Sequence, residues 1–172
     1  MSYNTMVFQV DSGKIAALWG SNNNAFLEGF MVKHKDDIEE GMDWHEVGLE
    51  VYRNCLADII NGVITADKAH HFIYGYLYEM LCRDFGEQIE REEFLPYLSE
   101  VTDGDFKVFI PIPAPENWPD IYSVKVDELA KAQDLFLNNA PDYVADTDYV
   151  DEVNYLFKTA SDNKQGLVFI NY

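Results

Sequence analysis

Cysteine is almost missing from this chain: two occur in 172 residues, Cys55 and Cys82, each inside an apolar helical pattern and far from a C-x-x-C spacing. No disulfide framework or thiolate metal site is expected, and both side chains read as small buried hydrophobes. Basic residues are scarce as well. Against 31 Asp and Glu stand only 12 Lys and Arg, a formal net charge of −19. Such a field repels phosphate backbones and anionic headgroups, so neither nucleic acid nor a membrane surface is expected as a partner. The densest basic run, Lys33-His34-Lys35, is followed at once by Asp36-Asp37. No stretch of about 18 uncharged apolar residues occurs. The opening Met1-Ser2-Tyr3-Asn4-Thr5 has neither a basic nor a long apolar leader region, so a cytoplasmic location is expected. Also missing are G-x-S-x-G, G-x-G-x-x-G, a Walker-type loop and H-E-x-x-H, which mark several common enzyme classes.

What is present is a core. Apolar residues make up 48% and aromatics 15%, with eleven Tyr, eleven Phe and three Trp. A single domain of this length buries roughly 70% of the surface its unfolded chain exposes, so residues 1–172 can fold as one domain without a metal or disulfide.

Local patterns give the element order. Tyr3 to Val10 is rich in β-formers and reads as a strand, with Asp11 capping a short helix that carries Ile15, Ala16, Leu18 and Trp19. Gly20 to Asn24 interrupts, and a second helix follows with Ala25, Phe26, Phe30 and Met31 inward. Residues 33–46 are charged and poorly periodic, a surface loop or frayed turn held by Trp44. Val47, Val51, Cys55, Leu56, Ile59 and Ile60 mark a helix ended by Asn61-Gly62. Thr65 then caps the clearest helix, Ala66 to Phe85, where Ala69, Phe72, Ile73, Tyr76, Leu77, Met80 and Leu81 form one stripe and Gly86 ends the helix. Gly75 within it costs about 1 kcal/mol relative to Ala, which points to close packing or a tolerated site.

Glu90 to Glu100 reads as a short helix around Phe94, Leu95 and Leu98, and Asp105 to Ile112 as a strand after the Asp103-Gly104 turn. Prolines 111, 113, 115 and 119 make the next stretch a loop carrying Trp118. Ile121 to Val126 is extended, and Asp127 caps a helix with Leu129, Ala132, Leu135 and Phe136. A last helix, Tyr149 to Ser161, leads through Asn163 to Gly166 into a final strand, Leu167 to Tyr172. The expected fold is α+β: a small mixed or antiparallel sheet of three to four strands, covered on one side by about six helices.

Candidate chemistry is thin. His70-His71 with Tyr74 and Tyr78 nearby could make an acid–base site, but adjacent helical residues do not share a face. His71, Tyr74 and Tyr78 fall on one ridge and could form a polar aromatic partner surface. Trp118 on its stiff loop is either a binding anchor or a lid on the core. Asp43-Trp44-His45-Glu46 offers mixed metal ligands of a kind acidic loops produce by chance. The Asp142-to-Glu152 run resembles a calcium loop without its glycine and terminal Glu in register, so helix N-terminal carboxylates explain it more simply. No metal and no cofactor is expected.

The opening Ser2-Tyr3 strand into Val10-Asp11, the Tyr74-Gly75-Tyr76 helix with Leu81-Cys82 and Gly86, the strand to Pro111-Ile112-Pro113 and Pro119, and the closing Gly166-Leu167-Val168-Phe169 together resemble a bacterial family of unknown function distantly similar to YfbM-like proteins. The resemblance implies the fold class and a bacterial cytoplasmic origin, and no activity. Two functional expectations follow. One is a non-enzymatic interaction module, of the immunity or antitoxin kind, that meets a basic partner protein through its acidic surface. The other is a small-ligand binder or enzyme with a pocket between the core helix and the Pro111 to Asp120 loop, His70 or His71 serving as base.

Overall fold

Alternating side chains along the strands set the architecture. The computed structural model of the chain describes residues 5–90, 98–116, 119–142 and 147–172. Within them the order is β1 (Met6–Val10), α1 (Ser12–Ala16), α2 (Asn24–Lys33), α3 (Lys35–His45), α4 (Leu49–Asn61), α5 (His71–Phe85), β2 (Gly86–Gln88), α6 (Leu98–Val101), β3 (Asp120–Val124), α7 (Leu129–Asn138), α8 (Thr147–Asn163) and β4 (Gly166–Asn171). Two 3-10 turns, Lys68–His70 and Val126–Glu128, precede α5 and α7. The strands form one antiparallel sheet in the order β2-β1-β4-β3, with Phe8 opposite Val168 and Tyr122 opposite Phe169. The fold is α+β, as its pattern of elements implies.

Helices cover both faces of the sheet, not one. Phe8, Val10, Ile121, Val168 and Ile170 face a core built by α1 to α5. Val7, Tyr122, Val124, Leu167 and Phe169 face a second core with Val101 of α6, Phe136 of α7 and Phe157 of α8. The unbroken apolar run of β4 is the reason, because a strand with water on one face alternates and this one does not. Phe136 joins the second core's layers, its ring 4.6 Å from that of Phe169 and 5.5 Å from that of Phe157.

α5 is the central helix, with Ile73, Tyr74, Leu77, Tyr78, Leu81 and Cys82 fully buried. A Cβ on Gly75 would lie 2.6 Å from Cγ of Pro119, so it is the proline ring that requires a glycine there. Both cysteines are buried, and burial pushes the Cys55 thiol up to about 12, which leaves it unreactive at neutral pH.

Several local expectations are corrected. Residues 35–45 form a regular helix that buries only Ile38, and Trp44 does not hold it down, being 78% exposed. With a single buried apolar side chain, α3 had no stripe for a periodicity argument to find. The 105–112 segment is no strand: it makes one bridge, Lys107 to Tyr122, beside β3. Pro111 and Pro113 lack donors, and the Phe109 N–H goes instead to the Tyr78 hydroxyl at 3.1 Å. Gly86 does end α5 as expected, and the chain passes there directly into β2, which the pattern did not show. Thr65 does not cap α5, since its N–H and hydroxyl both donate to the Asp58 carboxylate at 2.7 Å. Asp127 sits inside a 3-10 turn instead of capping α7. The helix expected at Phe94 and Leu95 lies outside the described residues.

Candidate functional site

The ridge of His71, Tyr74 and Tyr78 is mostly interior. Tyr74 and Tyr78 are fully buried, the first donating its hydroxyl to Asp58 and the second lying 2.9 Å from the Ser123 Oγ. His70 and His71 are half-buried where the chain enters α5. Across from them Lys68 pairs with Glu116, and Pro119 seals against Gly75, so the core helix and the proline-rich loop meet in direct contact at that point. Trp118 lies outside the described residues.

On another flank of α5 the structure opens a cleft of about 720 Å³, lined by α3, α4, α5, Met6 of β1 and Tyr172 after β4. From α3 come Asp37, Glu40, Gly41, Trp44 and His45, positions i, i+3, i+4, i+7 and i+8 of one helical face. From α5 come Tyr76, Glu79, Met80 and Arg83, again at i, i+3, i+4 and i+7. Asp43 and His45, two apart on α3, point to different sides and do not act together.

One wall is polar and already paired. Glu79, 6% exposed, accepts from the Arg83 guanidinium and from the Tyr172 hydroxyl. Arg83 also stands 3.6 Å from Asp37 across the gap. Asp37 in turn lies 3.4 Å from His34 Nδ1, whose Nε2 is 2.9 Å from Asp84. A continuous polar chain thus runs from Asp84 through buried His34 to the mouth. His34 was visible in sequence only as part of a basic run. The phenol of Tyr172 is held well above its ordinary value by burial and by the Glu79 charge.

The other wall is aromatic. Tyr172 stacks on Tyr76 with centroids 5.3 Å apart, and the His45 ring lies 4.4 Å from Tyr76 and 4.9 Å from Phe72. Burial lowers the His45 pKa, so its imidazole is neutral at neutral pH. At the floor is Tyr52, 1% exposed, whose hydroxyl has no hydrogen-bond partner among the described residues. Burial pushes its phenol up to about 12 and keeps the proton on it. Glu40 at the lip has no ion pair among the described residues, and Trp44 beside it stands 78% exposed.

Gly41 makes room for Tyr52: a Cβ there would lie 2.2 Å from the tyrosine Oη. Gly41→Ala is therefore expected to lower stability by about 1–2 kcal/mol, despite alanine's higher helix propensity. Thermal unfolding checks this; a raised Tm would mean that the Tyr52 ring swings aside freely.

Chemically, the cleft combines three carboxylates, one cation that two of them already engage, and an aromatic wall. It suits a positively charged group carried on carbon. The α3 face was legible only as a charge-and-aromatic spacing at 37, 40, 41, 44 and 45, which an apolar-periodicity reading passes over. No curated protein and no solved structure matches the chain. The model of a family described as a domain of unknown function (DUF7691) matches residues 1–172, and the chain belongs to that family.

Proposed function

For a member of a family whose description carries no activity, we propose that this chain is a non-enzymatic interaction module, of the immunity or antitoxin kind, that docks a basic partner protein at the α3–α5 cleft. The observation that carries the reading is Trp44, 78% exposed on an acidic lip formed with Asp37 and Glu40. An aromatic left in water beside carboxylates gains contact area and charge complementarity only when something cationic covers it. The net charge of −19 adds long-range attraction for such a partner. A cytoplasmic, bacterial protein distantly similar to YfbM-like proteins is consistent with this role and rests on the sequence features alone.

Binding of a lysine- and arginine-containing peptide, measured by calorimetry at low and high salt, tests the reading. Affinity should fall steeply with salt, and Trp44→Ala should weaken it by about 2 kcal/mol or more. The thermal midpoint should stay put, since an exposed side chain contributes little to folding. His71→Ala should leave binding unchanged. Equal binding by wild type and Trp44→Ala would remove the cleft from the interface.

A second reading, a small-ligand binder or enzyme with a histidine in its pocket, draws support from the cleft volume, which falls in the range of small-molecule sites. The histidine that lines this cleft is His45, while His70 and His71 stand elsewhere, where the chain enters α5. His45→Ala separates the two, because it would abolish base chemistry and spare salt-dependent docking.

A further inference from the structure

Resting on the docking reading above, we propose that the cleft selects a primary alkylammonium, the side chain of a partner lysine, with the Tyr52 hydroxyl and the Glu40 carboxylate as its recognition pair and Trp44 as the aromatic lip. The Tyr52 hydroxyl is the sharpest clue. The residue is almost wholly buried, yet its hydroxyl meets the cleft without a protein partner among the described residues, so an incoming N–H donor can replace the water that otherwise serves it. The hydroxyl lies in the cleft lining, beside the Gly41 position that makes space for it. Its oxygen accepts one ammonium N–H, and Glu40, free of any ion pair among the described residues, accepts another.

The competing cations fit less well. Glu79 is already taken by Arg83 and Tyr172 and Asp37 is shared between His34 and Arg83, so a guanidinium could fork only onto Glu40, and its rigid planar N–H groups would then serve the Tyr52 oxygen less well than the freely rotating ammonium does. A quaternary ammonium has no N–H and would leave the Tyr52 oxygen unpartnered. A neutral alkyl chain would fill the aromatic wall and strand both polar groups. The alkyl stem of lysine packs along Met80 and Tyr76 while its head reaches the floor.

The test is calorimetry of the intact chain with four short Gly/Ser peptides that differ at one central residue: lysine, arginine, trimethyllysine or norleucine. Lysine should bind at least about tenfold more tightly than norleucine and severalfold more tightly than the other two. Tyr52→Phe should lose about tenfold in lysine affinity with an unchanged thermal midpoint, because the hydroxyl it removes bonds to nothing described in the free protein. Glu40→Gln should lose a similar factor. Lysine and arginine bound equally, with Trp44→Ala weakening both, would overturn the ammonium selectivity and leave the docking reading standing. Full affinity in Tyr52→Phe would overturn the recognition pair. No binding by any of the four would remove both.

Discussion

Asp58→Ala is expected to lower the unfolding free energy by about 3–4 kcal/mol, although the residue does not line the α3–α5 cleft. The side chain is 5% exposed and accepts from the Tyr74 hydroxyl, the Thr65 N–H and hydroxyl at 2.7 Å, and the Ala66 N–H at 3.1 Å. It ties the end of α4 to the start of the segment that leads into α5. Removing it leaves the fully buried Tyr74 hydroxyl an orphan and frees Thr65 and Ala66, each a loss of the size seen for charge-assisted bonds. Burial alone would raise the Asp58 pKa, but the hydrogen bonds, led by Tyr74, outweigh it and hold the carboxyl below its usual value. The stabilisation is therefore fully present above the pKa of the unfolded carboxyl, near 4, and disappears as pH falls through the lower folded value. Urea denaturation at pH 7 and through the acid range checks both points. Wild type should lose this part of its stability in acid, and Asp58→Ala should lack it throughout. If the urea midpoint of Asp58→Ala at pH 7 equals that of wild type, the role assigned to the carboxylate is wrong. A double-mutant cycle with Tyr74→Phe should show coupling of about 1–2 kcal/mol.

Gly86→Ala is expected to cost about 3 kcal/mol or more, which for a chain of this size lowers Tm by roughly 6–12 °C. A Cβ at this position would lie 2.0 Å from the Gln9 carbonyl oxygen and 2.8 Å from the Val10 Cα. Both are main-chain atoms of β1, and β1 cannot retreat, since Gln9 and Val10 pair with Leu167 and Gly166 of β4 on its other side. The neighbouring Phe85 carbonyl accepts from the Asp11 N–H at 2.8 Å, so the passage from α5 into β2 is pinned as well. Differential scanning calorimetry is the measurement. A Tm within about 2 °C of wild type would show that α5 and β2 can shift together, which the hydrogen bond from Asp11 to Phe85 argues against.

The two substitutions also show where sequence reading stopped. Gly86 was legible as a helix stop, and its close approach to β1 was not, because nothing in residues 86–88 has the length or β-branching of a strand. Nothing local to α4 marks Asp58, one polar residue on an amphipathic helix. Its partners come from 7, 8 and 16 residues downstream, a return of the chain that no local pattern encodes. The candidate site was missed for a related reason: its lining on α3 is polar and aromatic, whereas periodicity arguments count apolar residues.

By itself the sequence determined the class of fold, the central helix (expected over 66–85, found over 71–85), strands near the start, at about 121 and at the end of the chain (expected at 3–10, 121–126 and 167–172, found at 6–10, 120–124 and 166–171), the caps at Asp11 and Gly62, and the burial of both cysteines. Each of these follows from a pattern within one element, where spacing and propensity act over a few residues. Tertiary structure alone decided that the sheet is covered on both faces, that Tyr74 and Tyr78 are interior while Trp44 is exposed, and that Tyr52, Glu40, Tyr76 and Tyr172 line one cleft. Those outcomes depend on which faces meet across distances of tens to more than a hundred residues, and that is settled by the packing of the whole chain, not by any segment of it.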